Sequence, residues 1–298
     1  NMEKPLRIRL HVLSPIHIGC DDIFEPTSFV IDENRNKLVE FDPADFIKHL
    51  TAEQRNEFMR ICSGDNLLAI YKFVKRVFNQ EISGRKVDIA SGLLEHYKSV
   101  LKKSSYDTKA IINQFTINKT AYNPQTNEPY IPGTSVKGAA RTAYLSHLAV
   151  SKGKKDAKEK AKDLEIALLQ GEFDTDPFRM VKVSDFQSVE QVRTKIVYGV
   201  NKKKRVSDWA TKASSGPLQI FEVIESGGVF EGIINIGIPE KKAGIKTPVE
   251  QTTLLKAVHQ HYNKLYAQEV AITKECGFRP VTADSFSKRF GDSCFLIR

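Results

Sequence analysis

Ile131-Pro132-Gly133-Thr134-Ser135-Val136-Lys137-Gly138-Ala139-Ala140-Arg141 is the stretch on which the reading of this chain turns. A Pro-Gly turn leads into a run where Val136, Ala139, Ala140, Ala143, Tyr144, His147 and Leu148 recur at helical spacing, giving one buried face from Ser135 to about Val150. Thr134 or Ser135 is expected to cap this helix. Lys137 and Arg141 lie four residues apart on one flank, near an end that already carries partial positive charge and unpaired N–H groups. A phosphate placed there would meet those donors and both cations. From spacing alone, a surface lysine and arginine that tolerate the dipole explain the pattern equally well.

Upstream, Ile111, Ile112, Phe115 and Ile117 run toward the loop Tyr122-Asn123-Pro124, and Glu128-Pro129-Tyr130 leads to the turn. Downstream, residues 151–160 are a mixed-charge run of the kind found in solvated connections. Order is expected to restart at Asp176-Pro177-Phe178-Arg179, with a strand through Met180, Val181 and Val183 that stops near Ser184-Asp185. Residues 191–200 read as a strand entering Asn201-Lys202-Lys203-Lys204-Arg205, close to the single tryptophan, Trp209. Cations beside an aromatic suit a nucleic-acid backbone and a base face; a solvated loop is the alternative. Residues 218–224 and 229–238 read as strands joined in a hairpin at Ser226-Gly227-Gly228. Leu254, Leu255, Val258, Tyr262, Leu265 and Tyr266 give a long amphipathic helix, and residues 293–298 a last strand.

At the other end, Leu6, Ile8, Leu10 and Val12 alternate with Arg7, Arg9 and His11, the period of a strand. Ser14-Pro15 ends it, and Ile16-His17-Ile18-Gly19 opens a loop with Cys20-Asp21-Asp22, where Gly19 would let backbone approach a ligand closely. Phe29–Ile31 and Leu38–Phe41 flank a polar tip as a hairpin. From about 43 to 110 the pattern is helical, an insertion between this strand pair and the central turn.

Composition favours a polyanionic partner: 45 Lys+Arg against 36 Asp+Glu leave a net charge of +9 over 298 residues. Cys20, Cys62, Cys276 and Cys294 are isolated, which supports neither a zinc site nor a disulfide framework and suits reduced thiols in a cytoplasmic setting. No apolar run reaches membrane-span length, and Met2 leads straight into a strand without a signal-peptide core. Asn1 reads as foreign to the natural chain. Phosphate-loop, dinucleotide-binding and nucleophile-elbow motifs are missing. The acids Asp21, Asp22, Asp32, Asp42 and Asp45 show no metal-ligand spacing, so no metal or other cofactor is expected. His11 and His17 could serve as acid and base in metal-independent RNA cleavage, although a loop histidine is more often structural. Binding therefore leads over catalysis.

With Ser14-Pro15-Ile16-His17-Ile18-Gly19, the central Ile131–Arg141 stretch and Asp176-Pro177-Phe178-Arg179 in this order, the chain resembles the CRISPR-associated RAMP superfamily. Glu222-Val223 followed by Phe230-Glu231-Gly232 also looks like its second-half strand pair. The resemblance implies an α+β, ferredoxin-like (RRM-like) fold in two domains: 2–175, carrying the helical insertion, and 176–298. Within the superfamily, the segment from Phe24 to Asp32 and the insertion look most like the type III-A (Csm) subunit that caps the 3′ end of the crRNA. Cleaving backbone subunits carry an aspartate in a glycine-rich loop after the first strand; Asp22-Ile23-Phe24-Glu25-Pro26-Thr27 lacks that context. The implied role is a noncatalytic crRNA-binding subunit supporting crRNA maturation and antiviral defence. A guide-processing endoribonuclease is the alternative. His17, Gly19, Thr134, Ser135, Lys137, Arg141, Lys202, Lys203, Lys204, Arg205 and Trp209 would touch RNA. The implied partners are the crRNA and the other subunits of the complex, with host nucleases as a further candidate. A natural continuation beyond Arg298, such as the glycine-rich loop ending many members, is expected.

Overall fold

The computed structural model describes residues 4–64, 66–79, 82, 84–102, 115–154, 160–200, 219–281 and 297. Lys202, Lys203, Lys204, Arg205 and Trp209, residues 155–159 of the mixed-charge run, and nearly all of the expected last strand lie outside them. The fold is α+β, and the chain divides into two compact units, each discontinuous in sequence. The first comprises Asn1–Ser14, Tyr130–Glu190 and Val229–Arg298; the second comprises Pro15–Pro129 and Gln191–Gly228. The expected division at 175/176 falls inside the first unit, because strands far apart in sequence complete each sheet.

In the first unit, strand β1 (Leu6–His11) pairs antiparallel with β11 (Val229–Ile236), Leu6 opposite Ile234. The other edge of β11 takes β7 (Val181–Val183) and β8 (Gln187–Ser188), both antiparallel. Helix α5 (Gly133–Ser151) follows the central turn, and α6 (Ala161–Leu169) and α7 (Gln251–Glu275) complete the unit's helices among the described residues. Small residues let α5 and α7 approach closely: Ala140, Ala143 and Ala257 are buried in one core with Tyr144, Leu254, Val258 and Tyr262. The Tyr262 hydroxyl donates to the Ala139 carbonyl at 3.1 Å, so the ring's polar end is satisfied within that apolar layer.

The second unit is built on a mixed sheet, in which β2 (Gly19–Ile23), β6 (Ile117–Thr120), β10 (Gln219–Ile224), β9 (Thr194–Gly199), β5 (Arg85–Ile89), β4 (Lys37–Glu40) and β3 (Phe29–Asp32) lie side by side in that order. The β6–β10 and β5–β9 pairs are parallel. Helices α1 (Pro43–Lys48), α2 (Ala52–Cys62), α3 (Leu67–Val77) and α4 (Leu93–Leu101) join it. The hairpin expected at Phe29–Phe41 forms as β3 and β4, and its pleat alternates between two cores: Ile31 and Leu38 face one, Val30 and Val39 the other.

Three expectations are corrected. The 43–110 insertion contains β5, whose inward Val87 and Ile89 alternate with Lys86 and Asp88 and insert it between β4 and β9. Residues 19–23 are strand, not loop, held by β6. β10 and β11 do not form a hairpin; they belong to different sheets in different units, although only Glu225–Gly228 separates them.

Candidate nucleic-acid interface

The central turn is fixed by three consecutive residues. Ile131 exchanges both backbone hydrogen bonds with Phe186, at 3.0 and 2.9 Å. Pro132 is the residue before the helix, where its constrained φ costs nothing. Gly133 packs where a Cβ would overlap the carbonyl oxygens of Val183 and Ser184. Thr134 and Ser135 do not cap, because with the boundary at Pro132 they are already inside the first turn and exposed. Capping comes from across the unit: the Gly133 N–H donates to Asp185 Oδ1 at 2.8 Å. An anion thus already occupies this helix end, satisfying the dipole argument from within the chain.

Arg141 is committed in the same way. Its guanidinium donates to Asp176, with Nη1 2.7 Å from Oδ2, and to Glu165 at 3.0 Å, while its carbon lies 5.3 Å from the centroid of the Phe178 ring. Asp176 Oδ1 also accepts the Phe178 N–H at 2.8 Å, closing the turn that starts the short 3-10 helix Pro177–Met180. Two of the sequence motifs therefore meet: the arginine that ends the central stretch is the counter-ion of the aspartate that opens Asp-Pro-Phe-Arg.

Lys137 stands differently. It lines an open groove of about 730 Å³ together with Arg179, Met180, Lys182, Asn235, Gly237 and Ile238. Among the described residues neither Lys137 nor Lys182 has an ion-pair partner. Burial pushes the Lys137 ammonium below its usual range, the charges of Lys182 and Arg141 push the same way, and Asp176 offsets them in part. Such clustering is unfavourable until an anion enters the groove. Among the described residues a Cβ at Gly138, the next residue, would meet nothing within 4 Å beyond its own helix, so this glycine keeps the helix surface low on that side. Arg179 and Lys182 were not assigned from sequence. The signal for Lys182 was there, since Val181-Lys182-Val183 alternates and turns its middle residue outward.

His17 and Gly19 belong to the second unit, apart from Lys137 and Arg141 in the assignment of residues to units. His17 Nδ1 donates to the Glu222 carbonyl at 2.7 Å and its ring lies 4.8 Å from that of Phe221, so β10 holds it. Only Nε2 remains for chemistry. His11, its suggested partner, is on β1 in the first unit. Beneath His17 runs an ionic row that sequence reading missed. Glu222, with no exposed surface, pairs with Arg85, which also reaches Glu40 and Thr194, and Lys119 Nζ lies 2.5 Å from Glu40. Burial alone would lower the Lys119 ammonium; its hydrogen bond and charge pairing with Glu40, aided by Tyr122 and Asp22, outweigh that and raise it. Among the described residues no group of three His, Cys, Asp or Glu is arranged to hold a metal ion, and no helix is long and apolar enough to cross a membrane.

The sequence model of the RAMP superfamily matches residues 9–268. The chain belongs to the RAMP superfamily. This bears out the expected resemblance over most of its length. As a RAMP protein it is similar to the CRISPR system Cms protein Csm5 of Methanocaldococcus jannaschii, 25% identical over 196 residues covering 62% of this chain and 43% of that protein. It thus spans less than half of that relative's length. Its fold is similar to the crystal structure of T. onnurineus Csm5, at a TM-score of 0.60 and 18% identity over 97% of this chain and 89% of that one. It is also similar to a chain in a cryo-EM structure of a Csm–crRNA–target RNA ternary complex of a type III-A CRISPR-Cas system, at 0.56 and 18% over 95% and 81%.

Proposed function

We propose that this RAMP protein is a crRNA-binding subunit of a type III-A (Csm) effector complex. In this reading it caps the 3′ end of the guide at the head of the backbone filament and supports crRNA maturation and antiviral defence without cutting RNA. The observation that carries it is the groove at the start of α5, where Lys137, Arg179 and Lys182 converge. A cap must accept any guide sequence, so it grips phosphates rather than base edges. The likeness to Csm5 supports this slot, and the other Csm subunits are the partners it would need. Host nuclease recruitment and a cytoplasmic location belong to the same proposal. A ferredoxin-like reading of the first unit is supported by its order β1, α5, β7, β11, α7 and by the sheet order β1-β11-β7.

Lys137 and Lys182 replace Arg141 as the phosphate contacts in this proposal, since Arg141 is held by Asp176 and Glu165. Thr134 and Ser135, exposed on the first turn, can add hydroxyl contacts. The test is Lys137→Ala with Lys182→Ala in the full chain, titrated with unrelated single-stranded RNAs. Affinity falls equally for all sequences, and the slope of log affinity against log salt falls by roughly 0.7 for each phosphate no longer neutralised. Unchanged affinity would remove the groove from the interface. Incubating the protein with repeat-containing RNA in chelator tests the noncatalytic part: intact RNA is expected, and discrete products that disappear on His17→Ala would establish the nuclease instead.

A further inference from the structure

Phe173 stands at the tip of a hydrogen-bonded turn, with Thr175 N–H donating to the Glu172 carbonyl at 3.0 Å and Glu172 N–H donating to Thr175 Oγ1 at 3.0 Å. Phe173 is 84% exposed, far more than any other exposed apolar residue among those described. A lone exposed apolar side chain is ordinary; its neighbour here is not. The Arg179 guanidinium carbon lies 5.4 Å from the ring centroid, and Arg179 Nη1 donates to the Phe173 carbonyl at 3.2 Å. Arg179 also lines the basic groove. One arginine thus both holds the ring and lines the groove.

We propose that Phe173 is a stacking platform for one unpaired base of a single-stranded RNA whose phosphates lie in the Lys137–Lys182 groove. This rests on the reading of that groove as an RNA site. Three observations favour a base over an apolar protein side chain. Arg179 links the ring to the Lys137–Lys182 cations, which attract a polyanion. The ring's position is set by a fixed turn and a cation–π contact, so little conformational freedom is lost when a flat partner stacks on it. Asp174, exposed beside Phe173 and 3.8 Å from Arg179, repels phosphate, so the backbone tracks the Lys137–Lys182 side and only a neutral base comes to the ring. Stacking of this kind tolerates every base, because each has a π-face. A duplex cannot use the site, since its bases are already stacked and paired.

Phe173→Leu and Phe173→Trp in the full chain test the idea against a fluorescein-labelled, unstructured single-stranded RNA and its variants with one abasic nucleotide at each position in turn. Melting curves show whether each variant folds. Phe173→Leu weakens binding roughly tenfold with the salt slope unchanged, and one abasic position lowers affinity with wild type but not with Phe173→Leu. Phe173→Trp keeps wild-type affinity, and the tryptophan emission it adds over that of Trp209 is quenched by unlabelled RNA. Wild-type affinity in Phe173→Leu, or added emission in Phe173→Trp that stays unquenched at saturating RNA, overturns the proposal. So does a Phe173→Leu protein that binds RNA normally but no longer joins its partner subunits, which would make the ring a protein contact. If the Lys137/Lys182 double variant weakens binding while Phe173→Leu does not, the stacking site alone fails; if neither does, the groove fails with it.

Discussion

Arg141 Nη1 lies 2.7 Å from Asp176 Oδ2, which ties the helix after the Pro-Gly turn to the segment that begins Asp-Pro-Phe-Arg. Both side chains are mostly shielded from solvent, and Asp176 also accepts the Phe178 N–H, so its removal takes from the guanidinium one of its two carboxylates and leaves a backbone donor without its acceptor. Asp176→Ala is therefore expected to cost about 1–3 kcal/mol in urea denaturation. Arg141→Ala should lower stability while leaving the salt slope of RNA binding unchanged. A lowered slope with unaltered stability would return Arg141 to the RNA contacts.

Two glycines near the start of α5 should respond in opposite directions. Gly133→Ala places a methyl against the Val183 and Ser184 carbonyls and should destabilise by about 1–3 kcal/mol. Gly138→Ala meets nothing beyond its own helix among the described residues and should stabilise by up to about 1 kcal/mol through helix propensity. If RNA passes close to that surface, Gly138→Ala will bind less tightly although it is the more stable protein. Thermal melts and anisotropy titrations read the two effects separately.

The depressed Lys137 ammonium gives RNA binding a pH limb. Well below that lysine's lowered pKa it is charged in both free and bound protein, and affinity is flat. As pH rises through the lowered value, still below the ordinary 10.5, the free protein loses the proton that bound phosphate would retain, so binding then requires proton uptake and weakens. Lys137→Arg should remove this limb, since a guanidinium stays charged throughout. A pH series of anisotropy titrations on both proteins checks it.

The ionic row in the second unit is a stability element. Glu222→Leu leaves Arg85 without its buried carboxylate and should cost about 3–5 kcal/mol. Replacing Arg85 and Glu222 together by apolar residues should cost less than Glu222→Leu alone, as measured by chemical denaturation of the three variants.

Periodic elements were legible in the sequence. The face of α5 is buried largely as its spacing indicates, the amphipathic run of α7 forms one helix, β1, β7 and β9 fall within their expected stretches, and β3 and β4 match theirs to within one residue at an end. Partnership was not legible. Nothing local distinguishes Arg141, whose counter-ions are Glu165 and Asp176, from Lys137, which has none among the described residues. The capping carboxylate is Asp185, 52 positions beyond Gly133, so a rule confined to neighbouring residues selected Thr134 and Ser135 instead. The strand β5 was lost inside a helical block because its short alternation is too brief to outweigh long helices on both sides. The Gly227 turn looked like a hairpin because such a signal says that the chain turns, not which sheet receives the next strand.

The pairing of Leu6 with Ile234 sets a timetable for folding. β1 is made before β11, its only strand neighbour among the described residues, and all the described strands of the second unit are made between the two. Until then its hydrogen-bonding edge has no permanent mate, and closing so long a loop is slow. Nascent chains should therefore depend on chaperones until β11 is made, and the first unit should lock after the second, when β11 enters between β1 and β7.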